Sequence, residues 1–483
     1  MLFRFKMNSK KFMVFGLLAA ALFLGQGSAV FSESQPVVVS QGLYDMQESF
    51  RQIAKSVLPS VVEVLTTSNQ DVAPQIPFPQ FPFFDSPFDT PTQPDQKAPK
   101  PTQKVQGLGS GVMIRHGGSK VYILTNNHVV DKAEKIQVTL NDGRKFDAKL
   151  VGADARRDLA LISITANDKD IVLAKLGDSS QLQVGDLVMA IGNPLGLDFT
   201  VTHGIVSALG RRGGPDGSNF DTYIQTDAPI NRGNSGGALV NLNGEIIGIN
   251  TWIASPNGAS VGLGFAIPIN TAKKAIDDFI THGAVRYGWL GVAASGISDG
   301  DAKSLGLPST QGAFVANIFK DSPADKAGIQ PGDVVTGING QDVKDPNDLV
   351  QIVGDLVVGQ SVDFHVLRQG QKIDTTVTIQ ERVKESEISK LRTWPGLSVA
   401  EITPEIRDQL SLDNGVQGLV VAQIDSSSTA QVAGIQPQDV ITKINDQPVR
   451  TLGDFYRQFN AKKGEVKISF VRQGVELSIG ISH

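Results

Sequence analysis

Between Gly107 and Val261 the apolar residues come in short runs of strand length, VMIRH, KVYILT, KIQVTL, LALISI, DLVMAIG, TVTHGIVSAL and EIIGIN, with turn-forming residues between them. No helical period alternates with these runs, so they predict a mainly β domain of antiparallel barrel or sandwich type rather than a βαβ fold. The period changes at either end. From Leu43 to Val57, Met46, Phe50, Ile53 and Val57 recur at helical spacing and lead into the strand-like stretch Ser60 to Val64. From Asn270 to Gly283, Ala272, Ala275, Ile276, Phe279 and Ile280 share one helical face, with Asn270 as the expected cap and Gly283 at the left-handed position beyond the last turn. That helix closes a first domain over 30–285.

The last third of the chain repeats itself. GAFVANIFKDSPADKAGIQPGDVVTGINGQDV (Gly312 to Val343) matches GLVVAQIDSSSTAQVAGIQPQDVITKINDQPV (Gly418 to Val449) at an offset of 106, with Gly328/Gly434, Asp333/Asp439 and Asn339/Asn445 identical. Two tandem modules follow, 286–381 and 394–483, joined by the charged segment 382–393. Neither contains a paired His, Ser or Cys arrangement, so both read as binding modules. Residues 68–105 hold PQIPFPQFPFFDSPF and PTQPDQKAPKPTQ, too rich in proline for a sheet interior. Two readings stay open for that stretch: a solvated loop, or an interaction loop carrying its bare phenylalanines.

Composition narrows the class. A chain of 483 residues exceeds one ordinary core, and 50 glycines favour a turn-rich β architecture. Arg4, Lys6, Lys10 and Lys11 precede an apolar run from Phe12 to about Leu24 that ends in Gly27-Ser28-Ala29, which reads as a secretory signal over 1–29 and predicts no stable membrane span once it is cleaved. Its removal takes the formal charge from −5 to −9, a balance that argues against nucleic acid as a partner. The absence of cysteine excludes disulfides and thiolate chemistry. The six histidines show no metal-binding spacing, so no metal or other cofactor is expected.

The remaining chemistry centres on NRGNSGG, Asn231 to Gly237. A serine hydroxyl needs a base, an acid to orient that base, and donors for the developing oxyanion. His128, in TNNHVV, stands at the end of a β-run. Asp158, in RRDLALI, stands at the mouth of another. The glycines around Ser235 let the Gly233 and Ser235 amides converge on one point. Singly, each segment also reads as ordinary structure: a core histidine, a surface acid, a tight turn. The order His, Asp, Ser at three strand ends makes chance the poorer explanation.

TNNHVV, RRDLALI and GNSGGALVNLNGEIIGIN, continuing through GLGFAIP, resemble the triad segments of the HtrA family of trypsin-like serine proteases, and most closely its two-PDZ periplasmic members. The resemblance covers nearly the whole mature chain. It implies a trypsin-like double β-barrel protease domain followed by two tandem PDZ domains of α+β type. It also implies His128 as general base, Asp158 as orienting acid, Ser235 as nucleophile, and ATP-independent attack on unfolded or misfolded polypeptides in the periplasm. Small aliphatic side chains are implied at the P1 position, with Ile230 and Asn231 as the candidate pocket residues and Asp227 as the one acid nearby. The PDZ likeness implies capture of C-terminal peptides by Gly288, Trp289, Leu290 and Gly291. In the second module WPGLSV, Trp394 to Val399, takes the equivalent place, with Pro395 lacking the amide hydrogen that carboxylate capture uses. Homotrimers, or hexamers and larger cages, are implied as the assembly, with the N-terminal helix and the Phe/Pro-rich loop as contact elements.

Asn234 replaces the acid that digestive proteases place before the serine. An amide holds a new N-terminal ammonium poorly, so loop ordering rather than zymogen cleavage is the expected switch, with Leu195 to Thr202, Gly210 to Phe220 and Trp252 to Val261 as the loops concerned. A second function stays open beside proteolysis: a holdase chaperone whose protease fold encloses substrates.

Overall fold

The computed structural model describes residues 40–71, 102–166, 171–193, 199–214, 222–256, 258–388, 390–426, 428–461 and 464–482. The signal reading over 1–29 and the Phe/Pro-rich sequence of 72–101 lie outside them. The chain divides into two compact units at Arg51 and Gln52. The first contributes the opening turns of helix α1 (Gln41–Val57), where Leu43, Tyr44 and Met46 are exposed. All other described residues belong to the second unit.

That unit begins with two closed six-stranded barrels. Strands β1 (Val61–Asp71), β2 (Thr102–Gly117), β3 (Lys120–Thr125), β4 (Lys135–Leu140), β5 (Lys145–Asp154) and β6 (Leu159–Thr165) close in the order β1-β2-β3-β6-β5-β4. Strands β7 (Leu187–Gly192), β8 (Thr200–Arg211), β9 (Tyr223–Thr226), β10 (Ala238–Val240), β11 (Ile246–Ile253) and β12 (Gly264–Pro268) close in the order β10-β11-β12-β9-β8-β7. Alternation sends one face of each strand inward: in β4, Ile136, Val138 and Leu140 are buried beneath Val62, Val64 and Ile123. Burying such a side chain stabilises the fold by about 1.5–3 kcal/mol relative to leaving it in water.

Three sequence expectations change here. The stretch 68–105 was expected to stay out of the sheet, yet β1 and β2 pair in register from Val61↔Val112 out to Asp71↔Thr102, because the polar residues flanking the prolines tolerate extended backbone. The second barrel's strands likewise include Gly210 and Arg211, and also Trp252 and Ile253, residues assigned to loops from their glycine and turn content. Trp252 stacks on Phe265 at 3.9 Å, and that packing outweighs the local propensity. Asn270 is not a cap. Helix α3 (Ile269–His282) starts one residue earlier, behind Pro268, and the Asn270 side chain donates to Asp178 at 2.7 Å. Gly283 ends the helix at φ +76°, as its position suggested.

Helix α3 lies against β5, β6, β11 and β12, so it covers both barrels, and Phe279 sits where a side chain at Gly152 would otherwise be. This second cover explains why β6 is buried on both faces up to Ile164.

The repeat modules each form an antiparallel sheet. In the first the strands Val292–Ser295, Ala313–Phe319, Val334–Ile338, Ser361–Arg368 and Gln371–Thr378 follow in spatial order. In the second the order is Leu397–Glu401, Leu419–Ile424, Val440–Ile444, Glu465–Arg472 and Val475–Ser482. Each module carries one longer helix: Pro346–Asp355 lies against Gly288–Trp289 and Ala313–Phe319, and Leu452–Phe459 against Leu397–Glu401 and Val440–Ile444.

The first module is tied to the barrels at both ends of its helix. Arg212 pairs with Asp345 at 2.7 Å and with Asp348, while the buried Arg157 pairs with Asp355 at 2.7 Å. Nearby, Tyr287 donates its hydroxyl to buried Asp154. Burial pushes the Asp154 carboxyl above its ordinary value, with the Tyr287 hydrogen bond and Arg157 opposing the shift. A carboxyl raised in the folded state binds its proton more tightly there than in the unfolded chain. Its contribution to stability is therefore present in acid and lost as pH rises through the folded value. Asp154→Asn is expected to stabilise the chain at neutral pH and to lose that advantage as the pH is lowered, which paired urea titrations would read. A constant difference at all pH values would contradict this account.

Candidate active site

His128 and Asp158 come from neighbouring strand ends of the first barrel. β3 delivers the chain to the short helix α2 (Asn127–Val130), which carries His128, and Asp158 precedes β6. Asp158 has φ +50°, a left-handed conformation uncommon outside glycine, asparagine and aspartate. Its carbonyl is held there by the Asn126 side chain at 2.8 Å and the Asn127 amide at 3.1 Å. The carboxylate accepts from the His128 amide at 2.9 Å through Oδ1. Oδ2 lies 2.8 Å from His128 Nδ1 and accepts the Thr251 hydroxyl at 2.6 Å. An ionised carboxylate can only accept, so Nδ1 carries the ring proton and Nε2 is left with a lone pair.

Ser235 arrives from the second barrel. The Asn234 amide donates to the Asn231 carbonyl at 3.0 Å, and positive φ falls at Gly233 (+100°) but not at Arg232. These features define a type II turn, whose central peptide is reversed relative to type I, so they also fix the direction of the Gly233 N–H. The amides of Asn234, Gly236 and Gly237 are bonded within the protein, whereas among the described residues those of Gly233 and Ser235 are not. Ser110 of β2 fastens the turn: its hydroxyl donates to the Gly233 carbonyl at 2.6 Å, and its amide to the Ser235 carbonyl at 2.8 Å. Glycine is required at 236, because φ is +83° and a Cβ would lie 2.1 Å from the Ser110 carbonyl oxygen. The Ser235 hydroxyl donates to the Thr251 carbonyl at 2.9 Å. Asn234 is buried, and its Oδ1 has no hydrogen-bond partner among the described residues.

Ile230 is buried in the second barrel's core beside Gly264, while Asn231 is exposed and accepts the Ser260 amide at 3.1 Å. Asp227 accepts the Ile205 amide at 2.7 Å and is thereby committed to strand β8. Thr251 and Ser110 were not singled out in the sequence. Their partners lie 93 and 123 residues away, so no local pattern marks them.

In the first module, Gly288, Trp289, Leu290 and Gly291 line a groove of about 100 Å³. Its apolar walls are Val292 and Ala294 on the strand and Leu349, Val350 and Val353 on the helix, with Arg382 also lining it; no sequence pattern marked the helix residues or Arg382. The carbonyls of Leu290 and Gly291 are bonded to the Ala324 and Phe319 amides, each at 2.9 Å, which holds the loop in place. In the second module the loop is displaced by one residue from the repeat offset of 106. Trp394 stands where Trp289 does, and Pro395 where Leu290 does, because Gly396 takes the left-handed position of Gly291.

Comparisons agree with this architecture. Residues 109–249 match the trypsin-like peptidase domain, and residues 288–379 and 396–482 each match the PDZ domain. The periplasmic serine endoprotease DegP of Salmonella typhimurium strain LT2 is 39% identical over 469 residues, covering 94% of this chain and 96% of the relative. The periplasmic pH-dependent serine endoprotease DegQ of Escherichia coli K12 is 38% identical over 458 residues, with the same shares covered. Among solved structures, the HtrA-type protease AlgW with decapeptide is 38% identical at a TM-score of 0.55, covering 69% of this chain and 99% of that one. A barrel pair bearing serine, histidine and aspartate, two PDZ modules, and relatives matched end to end lead to one conclusion: this chain belongs to the HtrA family of trypsin-like serine endopeptidases, with the tandem-PDZ organisation of its periplasmic DegP and DegQ members.

Proposed function

We propose that His128 Nε2 takes the proton of the Ser235 hydroxyl as Ser235 Oγ attacks a peptide carbonyl, and then passes that proton to the departing amine. Asp158 keeps the imidazole in the tautomer that leaves Nε2 basic and balances the charge it gains. The Gly233 and Ser235 amides hold the oxyanion, and a water repeats the sequence to release the acyl group. The hydroxyl rests on the Thr251 carbonyl, so attack begins with rotation about the Ser235 Cα–Cβ bond. The observation that carries this reading is the 2.8 Å contact between His128 Nδ1 and Asp158 Oδ2.

The substrates are unfolded or misfolded polypeptides, and the biological role is quality control of envelope proteins. An extended chain fits a cleft between barrels, and the PDZ groove takes a C-terminal or exposed segment by strand addition. An uncharged P1 side chain is favoured because Asp227 is bonded elsewhere. Residues 1–29 act as the export signal, 30–285 as the protease domain, and 286–381 and 394–483 as the PDZ domains, with 382–393 as linker. The chain works as a homo-oligomer, either a trimer or a hexamer or larger cage, and the exposed Leu43, Tyr44 and Met46 supply apolar surface for such contacts.

The test is cleavage of unfolded casein by the mature chain beside its Ser235→Ala variant. Hydrolysis by the first alone is expected. Equal cleavage by both would remove Ser235 from the mechanism, and none by either, across temperature and pH, would favour the holdase.

A further inference from the structure

Three polar residues of the first barrel stand in a row, and two of them, Glu63 and Thr139, have no part in the site described so far. Val62 and Val64 of β1 point into the barrel core, so the two-residue period turns Glu63 to the opposite face. Strand register places Ser110 of β2 and Thr139 of β4 directly across from Glu63, one on each side. Cross-strand partners share a face, so Thr139, Glu63 and Ser110 look outward together. What Glu63 and Ser110 meet there is the second barrel.

The point of contact is the end of β7. Gly192 lies so close that a Cβ there would stand 3.0 Å from Ser110 Oγ and 2.8 Å from Asn234 Oδ1. The next residue, Asn193, is 4% exposed and bonds to the row twice. Its Nδ2 donates to Glu63 Oε2 at 2.8 Å, while the Thr139 hydroxyl donates to Glu63 Oε1 at 3.1 Å. Its backbone amide donates to Ser110 Oγ at 2.8 Å. A carboxylate only accepts, so Glu63 fixes which way the Asn193 side chain faces, and holding that side chain holds the backbone N–H that reaches Ser110.

Ser110 is fully buried, and a hydroxyl has one proton to give. With Asn193 donating to it, that proton is left for the Gly233 carbonyl, 2.6 Å away. The Ser110 amide meanwhile donates to the Ser235 carbonyl at 2.8 Å. One residue thus pins the peptide groups that follow Gly233 and Ser235, and the Gly233 and Ser235 amides belong to the peptide groups directly before them. Oxyanion donors are effective because they are already in place when the charge appears, so whatever holds this turn bears on the rate.

We propose that Glu63 is a positioning residue for the oxyanion hole, acting through Asn193 and Ser110 on the Gly233 turn, so that the barrel supplying the base and its acid also sets the donors carried by the other barrel. The inference rests on the reading of Ser235 as nucleophile and of the Gly233 and Ser235 amides as oxyanion donors. Among the described residues Glu63 bonds to Thr139 and Asn193 and to no member of the triad. Its effect therefore falls on kcat and on tetrahedral adducts, with KM for casein unchanged.

The experiment measures casein hydrolysis by the full mature chain and its inhibition by a peptidyl boronic acid with a valine side chain at P1. Ser235 Oγ adds to the boron, its proton passes to His128, and one hydroxyl of the now tetrahedral, anionic boron takes the oxyanion position. Ser110→Ala is expected to lower kcat by about 10- to 100-fold and Glu63→Ala by about tenfold, each raising the boronate inhibition constant by the same factor at unchanged KM. Glu63→Gln is expected to recover most of the loss, because its Oε1 still accepts from Asn193 while its NH₂ donates to the Thr139 hydroxyl. A merely structural residue would lower the folded fraction, and with it the rate, without changing the inhibition constant of the molecules that stay folded. That result in Glu63→Ala would overturn the proposal, as would a kcat and an inhibition constant both within about twofold of the parent. Glu63→Gln as impaired as Glu63→Ala would overturn the route through Asn193. A parent chain that neither cleaves casein nor binds the boronate ends the reading of Ser235 instead, and the positioning is then read by hydrogen exchange. The Asn193 and Asn234 amides, bonded to Ser110 Oγ and the Asn231 carbonyl, are expected to exchange about tenfold faster in Glu63→Ala, and equal exchange would overturn it.

Discussion

Asp158→Asn is expected to lower kcat for unfolded casein by roughly 10⁴, about 5 kcal/mol of transition-state stabilisation, with little change in KM. The size of the effect comes from acceptor geometry. The Asp158 carboxylate receives three donors, the His128 amide, His128 Nδ1 and the Thr251 hydroxyl. Asparagine has the same shape and tolerates the left-handed backbone at 158, so the fold survives. Its NH₂ group must nevertheless face one of those donors. The least costly escape is for the imidazole to give up the proton on Nδ1 and carry it on Nε2, which leaves no base facing the serine. A loss smaller than about tenfold would mean that Asp158 does not set the tautomer. Thr251→Val tests the same network more gently, because it removes a single donor to Oδ2 and leaves the His128 contacts in place.

Asp333→Ala is expected to destabilise the PDZ tandem by about 3–5 kcal/mol, read as a shift in the urea transition followed by Trp289 and Trp394 fluorescence. Asp333 is fully buried and accepts two parallel bonds from Arg368, Nε at 2.7 Å and an Nη at 2.8 Å, and one from the Gln330 amide at 2.8 Å. Deleting the acid leaves a guanidinium, 26% exposed, against an empty acceptor site. The second module repeats the device with Asp439, Arg472 and the Gln436 amide, so Asp439→Ala should behave alike. Adding Arg368→Met to Asp333→Ala should recover part of the loss, since the larger share of the cost is the stranded charge. A change below about 1 kcal/mol in either single variant would show that the pair contributes little beyond its geometry.

Much of the architecture was legible because it is written in local periods. Seven short apolar runs marked barrel strands, and the 3.6-residue spacing of Ala272, Ala275, Ile276 and Phe279 marked α3. What was missed was decided by partners far along the chain. Asn270 is a good cap by type, yet Asp178 offered its side chain a better hydrogen bond, and the helix began at Ile269 behind Pro268. Trp252 looked like a loop residue until Phe265 supplied a stacking surface. The order histidine, aspartate, serine at three strand ends, together with the family resemblance, pointed to one constellation, and the fold brings His128 and Asp158 to 2.8 Å. Ser110 and Thr251 carried no signal of their own, although one fastens the nucleophile turn and the other shares the carboxylate.

By itself the sequence determined the kind of chain this is: a β-rich unit with a serine in a glycine turn, followed by a module repeated at an offset of 106 residues. Those features depend on residue type, period and repetition, which a linear string records in full. Tertiary structure alone decided that the two copies of the module are not equivalent. Val350 and Tyr456 hold the same place in the repeat, and Pro395 announced only one missing donor. Whether a groove is open depends on what else in the chain packs into it. Here Phe314, Asn317, Pro331 and Gly332 of the first copy settle against the second, because the aromatic face of Tyr456 and the bare backbone of Gly453 allow a closer approach than any pattern of letters reveals.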